Sequence, residues 1–287
     1  MRPARLDRAG GSRYLRFRVP LLRPSPAMLA LRSLLFNAAF YGWTFVCCFG
    51  LLWMLLLPRK GMVAVVRWYL RTLAWLERAI VGIRYEVRGL EHLPASGPYL
   101  VGAKHQSMWE TMKLHLILGD PAIVLKRELL FLPIWGWYAA KAHMIPVNRG
   151  KRGAAIASLV AGAKRVKAEG RPTVIFPQGT RTGVGEYRPY KIGIAILYEE
   201  LGVPLVPMAL NSGLYWPRRR FLRRPGTIVV EFLPAIPPGL PKEEALARLE
   251  AVLEDATDRL VTAAGGPPTP RPEPVAPARA DAAAAVG

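Results

Sequence analysis

A run of 25 residues, Ser33–Leu57, carries no ionisable side chain except Tyr41 and the adjacent Cys47 and Cys48. As one helix it would measure about 37 Å at 1.5 Å per residue, enough for a hydrocarbon core of roughly 30 Å. A cleaved export signal does not fit. The basic segment before the run and the run itself are too long, and no A-x-A-like site follows. The run is therefore predicted to be a membrane anchor. Cysteines adjacent on one helix are badly placed to pair, and no zinc-type spacing exists.

The flanks decide how such an anchor sits. Eight arginines and a single acid, Asp7, precede the run's first turn, and Pro58, Arg59 and Lys60 follow it. One crossing would leave a basic flank outside, against the positive-inside tendency. The next segment, Gly61 to Gly82, places Arg67, Arg71 and Arg78 within about 40° on a helical wheel, with Val65, Trp68, Leu70, Leu73, Trp75 and Ile80 on other faces. That pattern suits an interfacial helix. Two helices dipping into one leaflet would keep both basic flanks on one side; the alternative is one transmembrane helix followed by a core helix. Met28 directly precedes the run, so translation could begin there or at Met1.

Beyond residue 82 short β-like runs alternate with helical stretches. Strands are predicted at Arg84–Val87, Tyr99–Ala103, Met144–Val147, Thr173–Phe176, Val203–Leu210 and Thr227–Phe232, and Ala122–Leu125 is a short apolar run. Helices are predicted at Ser107–Leu118, Lys151–Ala168 and Lys191–Glu200, with a last one from Pro241 to about Ala263. The alternation predicts an α/β fold in which one domain has a mixed, largely parallel sheet. The chain divides into a basic N-terminal segment (1–27), a membrane-anchoring hairpin (28–82), the α/β domain (83–263) and a Pro/Ala-rich tail (264–287) that cannot build a core.

Chemistry-bearing residues gather at predicted strand ends, where α/β domains hold ligands. In KHQSMWET, Lys104–Thr111, His105 falls in a strand-to-helix turn and Glu110 follows in the first helical turn. A carboxylate that holds a histidine's tautomer and stabilises the imidazolium makes it a general base. Ser107-x-x-Glu110 also spells a capping box, in which both side chains merely satisfy backbone donors. A zinc site of His105, Glu110 and His115 is disfavoured, since five-residue steps do not share a helical face. In FPQGTRT, Phe176–Thr182, Gly179 lets backbone approach an anion, Thr180 offers a hydroxyl, and Arg181 a planar fork for phosphate; a plain Pro-Gly turn is the other reading. IPVNRG, Ile145–Gly150, puts Arg149 at the mouth of the next helix. VPLVPMAL, Val203–Leu210, is an apolar strand with Pro204 and Pro207.

In order and spacing, these four blocks resemble the glycerophospholipid acyltransferase family, and in particular its bacterial members that acylate 1-acyl-sn-glycerol 3-phosphate. The similarity runs from about Gly82 to Ala209. The family's first motif is His-x4-Asp; His105 takes the place of its base, and Glu110 replaces the aspartate. Its third motif is Phe-Pro-Glu-Gly-Thr-Arg, and here Gln178 stands for the glutamate, its amide oxygen still able to accept a hydrogen bond from Arg181. Arg149 matches the second-motif arginine, and Pro204 and Pro207 match the apolar fourth motif, a segment implied to serve the acyl chain. His115 and Asp120 share the five-residue spacing but end a helix rather than open one.

The resemblance implies transfer of an acyl group from acyl-CoA or acyl carrier protein to the sn-2 hydroxyl of lysophosphatidic acid, without metal or other cofactor. It implies that Arg149 and Arg181, with Lys126 in a lesser role, hold the acceptor's phosphate. It also implies a bacterial inner membrane, with the domain on the cytoplasmic side. Forty Lys and Arg against twenty Asp and Glu give a net charge of +20, which suits a polyanionic partner. The stretch Asn211–Arg224 holds five arginines among aromatics and no acid. It would fit nucleic acid in a non-enzymatic binding protein. Beside an anchor, anionic lipid headgroups are the simpler partner, and no nucleic-acid role is expected. An acyltransferase for another lysolipid, such as an amino-acid-containing one, is a further alternative.

Overall fold

The computed structural model describes residues 25–148 and 152–271. Helix α1 spans Pro26–Gly50, opened by the Ser25 hydroxyl accepting the Met28 N–H at 3.2 Å. The apolar run thus does not form one helix from Ser33 to Leu57. The helix begins earlier and stops at Gly50, and a 3₁₀ turn at Leu52–Leu56 leads to Pro58, which opens α2, Arg59–Leu76. Carbonyls freed by that break are taken by the domain. The Tyr138 hydroxyl donates to Leu51 O at 2.8 Å, and Lys141 Nζ donates to Leu55 O.

The two helices pack antiparallel. Trp43 Nε1 donates to Thr72 Oγ1 at 2.6 Å, the Thr44 and Tyr69 hydroxyls meet at 2.7 Å, and Arg32 Nε donates to Ile80 O at 2.6 Å. By length and composition α1 could cross a membrane. Leu31, Leu34, Leu35, Phe45 and Phe49 on it are more than half exposed. Helix α2 divides its apolar residues: Met62, Val63, Leu70 and Leu73 are buried, while Trp68 and Trp75 face outward. It is therefore a core helix as well as an amphipathic one. It continues as a π-helical turn, Glu77–Val81, closed by Gly82 at φ +77°.

Seven strands form one sheet: β1 (Ile83–Arg88), β2 (Leu100–Ala103), β3 (Ala122–Lys126), β4 (Ile145–Val147), β5 (Thr173–Ile175), β6 (Leu205–Leu210) and β7 (Gly226–Phe232). Their spatial order is β1-β7-β6-β2-β5-β3-β4, and every pairing is parallel except β6 with β7. The mixed, largely parallel α/β sheet expected from the sequence is present. The other helices are α3 (Trp109–Ile117), α4 (Trp135–Lys141), α5 (Arg152–Ala168), α6 (Gly193–Leu201) and α7 (Lys242–Ala263).

A parallel sheet needs cover on both faces. One core holds Phe36, Met62 and Leu73 from α1 and α2 together with Trp109, Val206 and Val230. The other holds Leu159, Ile194, Leu197, Leu249 and Leu253 from α5, α6 and α7. The hairpin thus shares a core with the sheet, and the boundary at residues 82 and 83 is no gap in packing. Within the first core Glu77 accepts Trp109 Nε1 at 2.7 Å and Lys113 Nζ at 2.9 Å. Burial raises the Glu77 carboxyl and lowers the Lys113 amine, each opposed by the other's charge.

Candidate active site

Strand β2 is buried throughout, and Lys104 extends it by donating its N–H to Met208 O at 3.0 Å. The next residue, His105, leaves the sheet at its carboxyl edge. Its Nδ1 lies 2.7 Å from Glu110 Oε1. The same oxygen accepts the Gln106 N–H at 2.8 Å and the Ser107 N–H at 2.7 Å, while Oε2 accepts the Ser212 hydroxyl at 2.8 Å. Glu110 is wholly buried, and the His105 side chain is 13% exposed. The His105 ring also stacks on Phe176, centroids 4.0 Å apart.

Capping and dyad, alternatives in the sequence, coexist here. Glu110 reaches back to the Ser107 N–H as a capping glutamate does, and the same carboxylate orients the histidine. The Ser107 hydroxyl departs from the box by accepting from Trp109 N at 3.2 Å. With Nδ1 engaged, Nε2 is the ring nitrogen left for a reacting hydroxyl.

The Phe176–Thr182 turn is fastened beside the histidine by the Thr182 N–H, which donates to His105 O at 2.8 Å. Gly179 adopts φ +70°, and its N–H donates to Phe176 O at 2.9 Å. Its N–H closes the turn rather than standing ready for an anion, and glycine is needed there for the left-handed backbone. Thr180 and Arg181 are half-buried. Gln178 corrects an expectation: it is 3% exposed, and neither amide atom has a hydrogen-bond partner, Arg181 included. Burial lowers the Arg181 guanidinium below its ordinary value; Glu110 opposes this, and Arg218 and Arg219 add to it. The negative charge that Arg181 feels is therefore Glu110's.

Of two further candidates, one stands apart. Lys126 ends β3 at the same sheet edge, two strands from β2, half exposed and 3.3 Å from Glu128. Arg149 lies outside the described residues. Pro204 and Pro207 are not at the site's edge. Pro204 sits at the amino end of β6, its carbonyl accepting Leu100 N–H at 2.9 Å, and Pro207 is buried in mid-strand opposite Gly102. What β6 delivers instead is the segment after it, Asn211 to Gly213. Ser212 bonds Glu110, and the Gly213 N–H donates to Gln106 Oε1 at 3.0 Å.

Ser212 was not singled out in the sequence, although its place just past an apolar strand is the signal the sheet-edge rule uses. Ser212→Ala should leave Glu110 Oε2 without its donor. The expected result is a loss of about 1–3 kcal/mol in thermal or denaturant unfolding, with Ser212→Thr recovering much of it.

Behind the turn, Lys104 Nζ donates to both Glu254 oxygens, with Oε2 at 2.6 Å, and Tyr190 donates to Glu254 at 2.8 Å. This buried network ties α7 to the residue preceding His105.

The other histidine–carboxylate arrangements are elsewhere. His143 meets Glu169 at 2.7 Å, but at the amino edge of the sheet, exposed, with Glu169 shared by Arg171. Asp120 is engaged by Arg59 and Arg171 rather than by His115. His115 Nδ1 is enclosed without a partner, and burial pushes its pKa down to about 4, Asp120 opposing and Arg171 and Arg67 assisting. The unfolded chain would take up a proton near pH 6.5 that the folded chain refuses until about pH 4. Stability present above pH 6.5 is therefore lost as pH falls toward 4. On this basis His115 should remove on the order of 2 kcal/mol between pH 8 and pH 5, and His115→Leu should flatten that part of the denaturation profile.

The Acyltransferase family matches residues 84–211, a span holding both His105 and Arg181. The chain is 40% identical over 172 residues to the 1-acyl-sn-glycerol-3-phosphate acyltransferase of Pseudomonas aeruginosa, covering 60% of this chain and 66% of that protein. It is 30% identical over 190 residues to the protein of that name from Limnanthes alba, covering 65% and 67%. A match to the mouse alpha form is 32% identical and spans 60% of that protein. The fold is similar to the crystal structure of the 1-acyl-sn-glycerophosphate (LPA) acyltransferase PlsC from Thermotoga maritima. The TM-score is 0.68 at 22% identity, over 81% of this chain and 97% of that one. The chain belongs to the acyltransferase family.

Proposed function

We propose that this protein transfers an acyl group from a thioester to the sn-2 hydroxyl of lysophosphatidic acid, yielding phosphatidic acid and a free thiol. The observation that carries this reading is the His105–Glu110 pair, at 2.7 Å, on a wholly buried carboxylate held by three further donors. His105 Nε2 takes the hydroxyl proton as that oxygen attacks the thioester carbonyl. Glu110 stabilises the imidazolium. Collapse of the tetrahedral adduct breaks the C–S bond, and the departing thiolate recovers the proton from His105. A thioester brings its own activation, so the step calls for no metal or redox cofactor. The donor is acyl-CoA or acyl carrier protein.

Arg181, beside the dyad, is suited to the acceptor's phosphate, and the unpartnered Gln178 amide is free to meet a polar group of the substrate. The exposed apolar side of α1 is read as lying in a phospholipid bilayer, with the antiparallel α1–α2 pair in the leaflet facing the cytoplasm. Membrane and lysolipid are then the partners, rather than nucleic acid. Holding both substrates at one interface lowers the entropic cost of their encounter.

The test is the purified full chain in detergent, given labelled acyl-CoA or acyl carrier protein and a panel of acceptors: lysophosphatidic acid, lysophosphatidylcholine and an amino-acid-containing lysolipid. The expected product is phosphatidic acid, with label released by an sn-2-specific phospholipase. Transfer only to another lysolipid would reassign the acceptor. Transfer to none would overturn the reading.

A further inference from the structure

The loop between β6 and β7 holds the arginine-rich stretch. It forms, with the flank of α1 and with Met108 at the entrance to α3, an open cavity of about 540 Å³. Five arginines line this cavity, Arg181, Arg218, Arg219, Arg220 and Arg223, and no acidic residue does. They are not equivalent. Arg223 is 7% exposed and spent on architecture. Its guanidinium lies 4.7 Å from the Trp216 ring centroid and donates to the carbonyls of Arg220 and Phe221, while its N–H donates to Ser33 Oγ of α1 at 2.9 Å.

Arg218 and Arg219 are in the opposite position. Arg218 uses one nitrogen, Nη1, to donate to Arg181 O at 2.7 Å, which locks the loop to the Phe176–Thr182 turn and leaves the rest of its fork open. Arg219 sits at φ +54°, a left-handed backbone that disfavours a side chain of its kind, and no carboxylate pairs with it among the described residues. Three guanidinium groups thus line one cavity, and Arg181 among them also feels the Glu110 carboxylate, which offsets part of the repulsion from Arg218 and Arg219.

We infer that Arg218 and Arg219 act with Arg181 as a clamp for a phosphomonoester, and that they set the acceptor's headgroup class. This rests on the acyl-transfer reading above. A phosphomonoester carries about −1.5 to −2 charges near neutral pH and three open oxygens, enough for more than one guanidinium fork. A phosphodiester headgroup carries one charge, and its second ester substituent occupies an oxygen that a fork would otherwise take. The clamp therefore favours lysophosphatidic acid over lysolipids with diester headgroups. Arg218 and Arg219 lie outside the matched family segment, residues 84–211, and Arg181 lies inside it.

The test uses the full chain in neutral detergent micelles at saturating acyl donor, comparing wild type, Arg218→Gln, Arg219→Gly and the double variant. Glycine at position 219 relieves the left-handed backbone, so that variant removes a cation without a folding penalty. The acceptor KM for lysophosphatidic acid should rise at least tenfold in each single variant and further in the double. The constants for lysophosphatidylglycerol, as acceptor or as competing inhibitor, should move less than threefold. A parallel loss for both lipids, or a lysophosphatidic acid KM within twofold of wild type, would overturn the clamp.

A second arm measures sedimentation with phosphatidylglycerol vesicles. Loss of vesicle binding in the double variant, with an unchanged micellar KM, would assign these arginines to bilayer headgroups and would also overturn it. Wild-type protein that forms no phosphatidic acid contradicts the underlying activity, whereas active wild type with indifferent variants contradicts the clamp alone.

Discussion

His105→Ala should lower acyl transfer by about 10²–10⁴-fold while leaving the melting temperature close to wild type. The two halves of that expectation come from the same geometry. Losing the imidazole removes the only ring nitrogen facing the proposed reaction. It does not strand the carboxylate, because Glu110 keeps the Gln106 and Ser107 N–H groups and the Ser212 hydroxyl. A buried charge with three donors remains tolerable, so the fold should not register the change strongly. His143→Ala is the matched control, a histidine with its own carboxylate partner on the opposite sheet edge. Its rate should equal wild type. A folded His105→Ala enzyme turning over at the wild-type rate would sink the proposed mechanism.

Glu110→Gln separates charge from scaffolding. A glutamine can place its carbonyl oxygen where Oε1 now accepts three donors, and its NH₂ can donate to a rotated Ser212 hydroxyl. Backbone and histidine would then stay where they are, and only the negative charge opposing the imidazolium would be lost. The rate should fall between about 10²- and 10⁴-fold, the larger figure applying if the ring adopts the wrong tautomer. Steady-state kinetics with a thermal melt on the same sample checks this. An unchanged rate with a lowered melt would make Glu110 a helix cap and nothing more. Glu110→Ala, by contrast, should damage both, since it orphans the buried donors together.

Much of this architecture was legible because it rests on local pattern. The six predicted strands and the short apolar run Ala122–Leu125 all form strands, within about two residues of the bounds read from the sequence. His105 and Glu110 were legible for the same reason, one lying in the turn after β2 and the other in the first turn of α3. Less legible was whatever depends on distant packing. Helix α4 has no such signal, since Pro133 stands just before it, Gly136 falls in its first turn, and the residue that opens it, Ile134, adopts φ +65°. The apolar run is misleading at its end, because the carbonyls freed by the break after Gly50 find donors in Tyr138 and Lys141, nearly ninety residues away.

The site divides along the same line. Ser212 binds Glu110 across 102 residues, and Glu254 reaches Lys104 across 150, so neither contact leaves a spacing that a motif would reveal. Pro204 and Pro207 erred in the opposite sense. Their place in a motif implied an acyl-chain site, but Pro204 precedes β6 at its amino end, Pro207 lies within a strand buried along its whole length, and the dyad's partner Ser212 comes after that strand ends. Gln178 could in principle accept a bond from Arg181, yet its amide is buried without a partner, and the negative charge acting on Arg181 is that of Glu110.

The central claim is direct transfer from thioester to lysolipid hydroxyl with His105 as base. It is tested most directly by following thiol release and phosphatidic acid formation together, with purified protein, one acyl thioester and lysophosphatidic acid. The expected result is one thiol per phosphatidic acid formed, with negligible thiol release when the acceptor is omitted and both signals lost together in His105→Ala. Rapid thiol release without acceptor, or phosphatidic acid formation that survives loss of His105, would contradict it.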